Sequence, residues 1–268
     1  MSEKKDCKKF ILVIISLFLI ISALSCDSTA ARSTLSIYAA AGAKPAIDEI
    51  CQRFEEQHGI VMEVTYGGGG EVLSQIELAR TGDIYIAPEQ CFMEAAEQKG
   101  LIDPSTLESI ANMIPVIAMC KGNPNHIVDL TDLARPGIKV AVTRPETTLL
   151  GKYAPEIFEK AGLTAGIEDN IVTHALRPDS LLTILILGQV DAGIIWHFYE
   201  TQAPDQIEIV WLKPEQLTGI GEMQIAMTRF CKDVKSARQF IDFVSSADSK
   251  AILTKHGYIV DIKEVNNH

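Results

Sequence analysis

The sequence is short of everything that usually carries catalysis. It has no HExxH, no GxSxG, no CxxC and no paired carboxylates within one candidate loop, so the metalloprotease and hydrolase constellations and the usual zinc spacings are missing. Neither nucleotide signature is met. Glu71 follows Gly70 where a P-loop requires lysine, and no GxGxxG stands in a strand-to-helix context. Positive charge is also scarce, with 24 Lys and Arg against 35 Asp and Glu and a formal charge of −11. An acidic surface keeps a protein soluble and repels phosphate backbones, which argues against nucleic acid as a partner. The body of the chain shows no internal repeat and no low-complexity segment. Together these absences predict no catalytic residue, no metal and no cofactor.

Long apolar runs are missing as well. The longest apolar run, Phe10 to Ser25, has 16 residues, short of the ~20 that a bilayer-spanning helix needs. Lys4, Lys5, Lys8 and Lys9 precede it and Ala23-Leu24-Ser25-Cys26 closes it, the layout of a secretory signal over residues 1–25. The alternative is an N-terminal anchor that stays attached. Ser25-Cys26 resembles a bacterial lipoprotein cleavage site, which implies that Cys26 carries lipid at a membrane surface. Ala23 and Leu24 depart from that pattern. Residues 26–33 are small and polar and read as a tether. Removing the signal takes four lysines, Glu3 and Asp6, and moves the formal charge to −13. About 240 residues then remain outside the cytoplasm, enough for one large domain or two lobes. Cys51, Cys91, Cys120 and Cys231 allow three disulfide pairings, but each lies in an apolar stretch, which favours buried free thiols.

Short apolar runs alternate with helical periodicity through the body. Leu35–Ala39, Val61–Tyr66 and Ile84–Ala87 read as strands, while Ile47, Ile50, Cys51 and Phe54 fall on one face of a helix that ends near Gly59. Further strands are expected at Pro115–Cys120, Lys139–Val142, Ile171–Thr173, Ala192–Trp196, Ile207–Leu212 and Gln224–Thr228, with helices between them and two helices at the end. This order predicts an α/β fold of two lobes, each a mainly parallel sheet flanked by helices. Pro115–Cys120 and the pair Gly219 and Gly221 are the expected crossings.

In open α/β sheets ligands lie beyond the carboxyl ends of the strands. Two junctions there are rich in small residues, Ala39-Ala40-Ala41-Gly42 and Gly67-Gly68-Gly69-Gly70. Bare backbone at a helix start offers N–H donors and a partial positive charge to an anion. Tight turns explain such glycines equally well. Thr147 and Thr148 precede the next helix, Arg177 the one after, with Asp179 or Ser180 its expected N-cap, and Trp196 ends a strand, either walling a cleft or filling a core.

At these residues the chain resembles the molybdate- and tungstate-binding proteins of ABC importers, a branch of the type 2 periplasmic binding proteins. The resemblance rests on Ala39–Gly42, Tyr66–Gly70, Gly82–Ile86, Lys121–Pro124, Asp191–Ile195 and Phe240–Ser245. It implies two lobes that close by hinge motion, one formed by 34–117 with 220–262 and the other by 118–219. It further implies a monomeric receptor that passes a small oxyanion to a membrane permease and catalyses nothing. Ala41, Gly42, Gly69, Gly70, Thr147, Thr148, Arg177 and Trp196 become the implied ligand-binding residues. Gly42 and Gly69 stand where oxyanion binders place serines, and Trp196 where they place tyrosine. Each lost charge-assisted hydrogen bond costs ~1.5–3 kcal/mol, and the bare glycines are expected to leave room for a small carboxylate or phosphate ester. An enzyme on this fold has only His197, or Cys91 beside Glu89, to offer. A sensory receptor is the remaining alternative.

Overall fold

A computed structural model describes residues 33–261; the signal, the tether as far as residue 32, Cys26 and the last residues of the first lobe's expected span lie outside them. Alternation builds the first strand, β1 (Thr34–Ala40), with Leu35, Ile37 and Ala39 buried on one face. A short 3-10 turn, Ala41–Ala43, leads into α1 (Lys44–His58), which has Pro45 in its first turn and buries the Ile47, Ile50, Cys51 and Phe54 stripe. Gly59 ends α1 at φ 67°, returning its N–H to the Glu55 carbonyl at 2.8 Å.

The first half continues with β2 (Val61–Gly67), α2 (Gly69–Ala79), β3 (Ile84–Ala87), α3 (Gln90–Gln98) and β4 (Glu108–Met113). The second holds β5 (Pro115–Cys120), β6 (Val140–Thr143), α4 (Leu149–Lys160), α5 (Thr164–Glu168), β7 (Ile171–Ala175), α6 (Pro178–Ile186), β8 (Ala192–Trp196), α7 (Tyr199–Gln202) and β9 (Ile207–Trp211). The chain then returns through β10 (Gly221–Met227), α8 (Val234–Val244) and α9 (Ala247–Lys255).

Two five-stranded sheets result, in the orders β2-β1-β3-β10-β4 and β7-β6-β8-β5-β9. Both are mixed. Three strands of each are parallel, and the last two run antiparallel to their neighbours. The antiparallel strands are the ones that carry the chain between sheets, and the other three of each give the mainly parallel character expected. Glu108–Met113, polar enough to escape notice in the sequence, is one of them and is buried from Ile110 onward. Pro115–Cys120 pairs with β8 and β9 throughout, so the chain changes sheet at Ile114 rather than within that strand. Among the described residues Cys51, Cys91, Cys120 and Cys231 are all free thiols, and burial pushes Cys51 up to about 12.

Register aims the loops. Ala40 pairs with Gly67 and Ala39 with Ile86, so the segments that follow β1, β2 and β3 leave the sheet side by side. In the second sheet Thr143 pairs with Ala175, which sets the Arg144–Thr148 loop beside Leu176 and Arg177.

Candidate ligand-binding site

These loop ends enclose one cavity of about 510 Å³. Ala41, Gly42, Gly69, Gly70, Thr147, Thr148, Arg177 and Trp196 all line it. Its size is ordinary for a small-molecule site and several times the roughly 60–90 Å³ of two or three waters, the scale of a tetrahedral oxyanion. Aromatic and sulfur-bearing side chains, Phe92, Met113, Phe198, Tyr199, Met223 and Tyr258, form much of the wall. Four carboxylates, Glu71, Glu89, Glu146 and Asp179, face a single guanidinium, Arg177.

No side chain caps the Ala41–Ala43 turn or α1; the Lys44 N–H returns to the Ala41 carbonyl and Pro45 has none, so it is the N–H groups of the turn itself that lack a side-chain cap. At α2 the Glu71 carboxylate folds back to accept from the Gly68 N–H at 2.7 Å, a capping-box return. The same Oε2 receives Arg177 Nη1 at 3.4 Å, while Arg177 Nε reaches Asp179 Oδ1 at 3.2 Å. Arg177 is thus already paired on both sides. It occupies the N-cap position of α6 itself, and neither Asp179 nor Ser180 fills that role.

The third helix start is occupied from within. Glu89, 3% exposed, accepts from the Leu149 N–H at 2.7 Å, and the Leu150 N–H and the Trp196 indole also bond to it. Burial outweighs those three donors and pushes its carboxyl up to about 7. Trp196 is therefore both cleft wall and buried, with its N–H directed to Glu89. Thr148 caps α4 by accepting from the Gly151 N–H at 2.9 Å and donates to Thr143 Oγ1 at 2.8 Å. Thr147 donates to the Leu176 carbonyl at 2.8 Å. Both hydroxyls serve the loop's own shape.

The room expected at the two glycines is not there. A Cβ on Gly42 would stand 2.8 Å from Tyr199 Oη, and one on Gly69 would overlap the Phe92 ring. Aromatic side chains from elsewhere in the chain fill the space that a serine would need. Sequence reading passed over Tyr199, Phe92 and the cleft role of Glu89. Only the Pro88-Glu89 step after a buried strand marked one of them, since an acidic residue at a strand's carboxyl end faces the site. His197 and Cys91 do not line the cavity. His197 Nδ1 accepts from the Ile114 N–H at 3.0 Å, and burial pushes Cys91 up to about 11, far from a reactive thiolate.

Two mixed sheets that exchange strands through paired crossings, with a cleft at the carboxyl ends of their parallel strands, define a two-part solute-binding protein of the periplasmic type. The chain belongs to the bacterial extracellular solute-binding protein family, whose profile matches residues 35–259. It is 24% identical over 256 residues to the molybdate-binding protein ModA of Mycobacterium bovis, covering 91% of this chain and 95% of that one. Its fold matches the substrate-binding domain of a putative molybdenum ABC transporter from Clostridium difficile with a TM-score of 0.71 at 23% identity, covering 85% of this chain and 99% of that one. It likewise matches PEB3 of Campylobacter jejuni, solved with L-phospholactate, with a TM-score of 0.73 at 21% identity, covering 84% and 99%. These relatives are solute-binding proteins, not enzymes.

Proposed function

We propose that this protein captures a small anion outside the cytoplasm and hands it to an ABC permease, held at the membrane by lipid on Cys26. The observation that carries the reading is the Ala40–Gly67 register, which sets two helix starts side by side at one cavity. Donors at Gly42, Gly69 and Gly70 would bind the anion without a dedicated basic side chain. Arg177, already paired, would close the far side by exchanging a carboxylate for the guest. The ModA relatives, named as molybdate-binding, support molybdate as the solute, and tungstate is included as an oxyanion of the same shape and charge.

A second reading is favoured by the cavity itself. Its volume and apolar wall suit a small organic carboxylate or phosphate ester, and PEB3 holds L-phospholactate on the same fold. Calorimetry of the mature protein against molybdate, tungstate, sulfate, phosphate and L-phospholactate separates the two. Silence across the panel would overturn the receptor reading. Fatty-acid labelling of the full chain, abolished by Cys26→Ala, tests the anchor.

A further inference from the structure

We infer that Tyr199 is a ligand-contacting residue of this cleft, its phenol hydroxyl supplying the polar contact that the Gly42 position leaves out. The inference rests on the receptor reading above. It concerns a residue outside every motif that pointed to the site in the sequence.

Three observations carry it. Tyr199 is only 3% exposed and lines the cavity, yet among the described residues its hydroxyl bonds to no protein group. Its oxygen is not sealed in the core as that of Tyr85 is but opens on the cavity, which leaves its hydrogen-bonding capacity to whatever fills that space. Second, Oη stands 2.8 Å from where a Gly42 Cβ would be. A donor coming from α7 therefore reaches the spot that a serine at position 42 would have served. Third, the ring cannot turn away. It stacks on Phe198 at 4.3 Å and 30°, and Phe198 stacks on Tyr258 at 4.4 Å and 22°. Gln202 Nε2, at the end of the same short helix, donates to the Gly42 carbonyl at 2.9 Å, and Tyr258 Oη donates to it at 3.4 Å. The Gly42 turn and the Tyr199 ring are thus tied together as one unit.

The electrostatics agree. Burial, with Tyr258, Asp179 and Glu89 nearby, holds the phenol well above its ordinary range despite Arg177, so the group keeps its proton and acts as a donor to an anion. With glycine at 42 and tyrosine at 199, the hydroxyl reaches the spot beside Gly42 from α7 instead of from the turn itself. The tyrosine also puts an aromatic face against the guest.

The test uses Tyr199→Phe and Tyr199→Phe/Gly42→Ser in the mature protein, with the same five anions as probes. Tyr199→Phe should leave the ligand-free melting temperature nearly unchanged, because the hydroxyl opens on the cavity and bonds to no protein group, while weakening the bound anion about ten- to a hundredfold. Gly42→Ser alone should abolish binding by driving into Oη. In the Tyr199→Phe background the space is free, and the serine hydroxyl should restore part of the lost affinity. A merely structural tyrosine would not produce that rescue. Equal affinity of Tyr199→Phe and wild type, for anions that wild type binds, would overturn the inference and leave the receptor reading standing. Failure of wild type to bind any of the five would overturn both.

Discussion

Glu89 sets the pH response of this cleft. Its carboxyl titrates near 7 in the folded protein and near 4.5 when unfolded. Below about 4.5 both states are protonated and the group contributes nothing. Between the two values the folded state holds a proton that the unfolded state has released, so stability falls as pH rises; above about 7 both are ionised and the loss is constant. The decline amounts to about 3 kcal/mol at most. Glu89→Gln should flatten the melting-temperature profile between pH 4.5 and 7, measured by calorimetry; parallel profiles for variant and wild type would show that Glu89 is not the group responsible. Lys152, on the adjoining turn, pulls the carboxyl the other way, and Cys91, Tyr85, Tyr153 and Tyr199 also lie close enough to feel its charge. Gly69 makes a second prediction at this scale. Gly69→Ser, the change that would imitate an oxyanion binder, should destabilise the protein by about 1–3 kcal/mol through overpacking against Phe92. In a Phe92→Ala background the same change should cost less, read as a double-mutant cycle by urea titration.

At the scale of elements, the helix starts differ in what occupies them. α4 is capped by Thr148 and filled by Glu89, whereas α1 has no side-chain cap at all. Thr148→Ala should cost about 1–2 kcal/mol of stability by denaturant unfolding, with anion affinity changed less than in Tyr199→Phe, because the hydroxyl serves the helix. An effect on affinity as large as that of Tyr199→Phe would instead place Thr148 at the ligand. The elements were largely readable in advance, and β8 came out at the very residues expected, because an apolar run between polar residues is a local signal. β4 was not, since its burial comes from pairing with β10 across the molecule. The α6 cap was misread for a similar reason. Pro178 takes the first helical position, which moves the cap back to Arg177.

For the whole molecule, a guest in the cleft touches groups from both sheets, so binding should stabilise the fold as a unit. At a hundredfold excess over Kd the gain is about 2.7 kcal/mol, or roughly 5–11 °C for a chain of this size. A thermal shift with the bound anion checks this, and no shift at saturating concentration would show that the anion does not bind the folded protein in preference to the unfolded chain. The sequence alone determined the strands other than β4, the helix stripes and the glycine-rich junctions, because each depends on residues within a few positions of one another. Only the tertiary structure decided which donors remain available. Glu89 reaches Leu149 from 60 positions away and Arg177 meets Glu71 across 106, while Tyr199 and Phe92 take up the space beside Gly42 and Gly69. Local patterning reveals where donors are made; what they meet depends on packing between segments that have no relation along the chain.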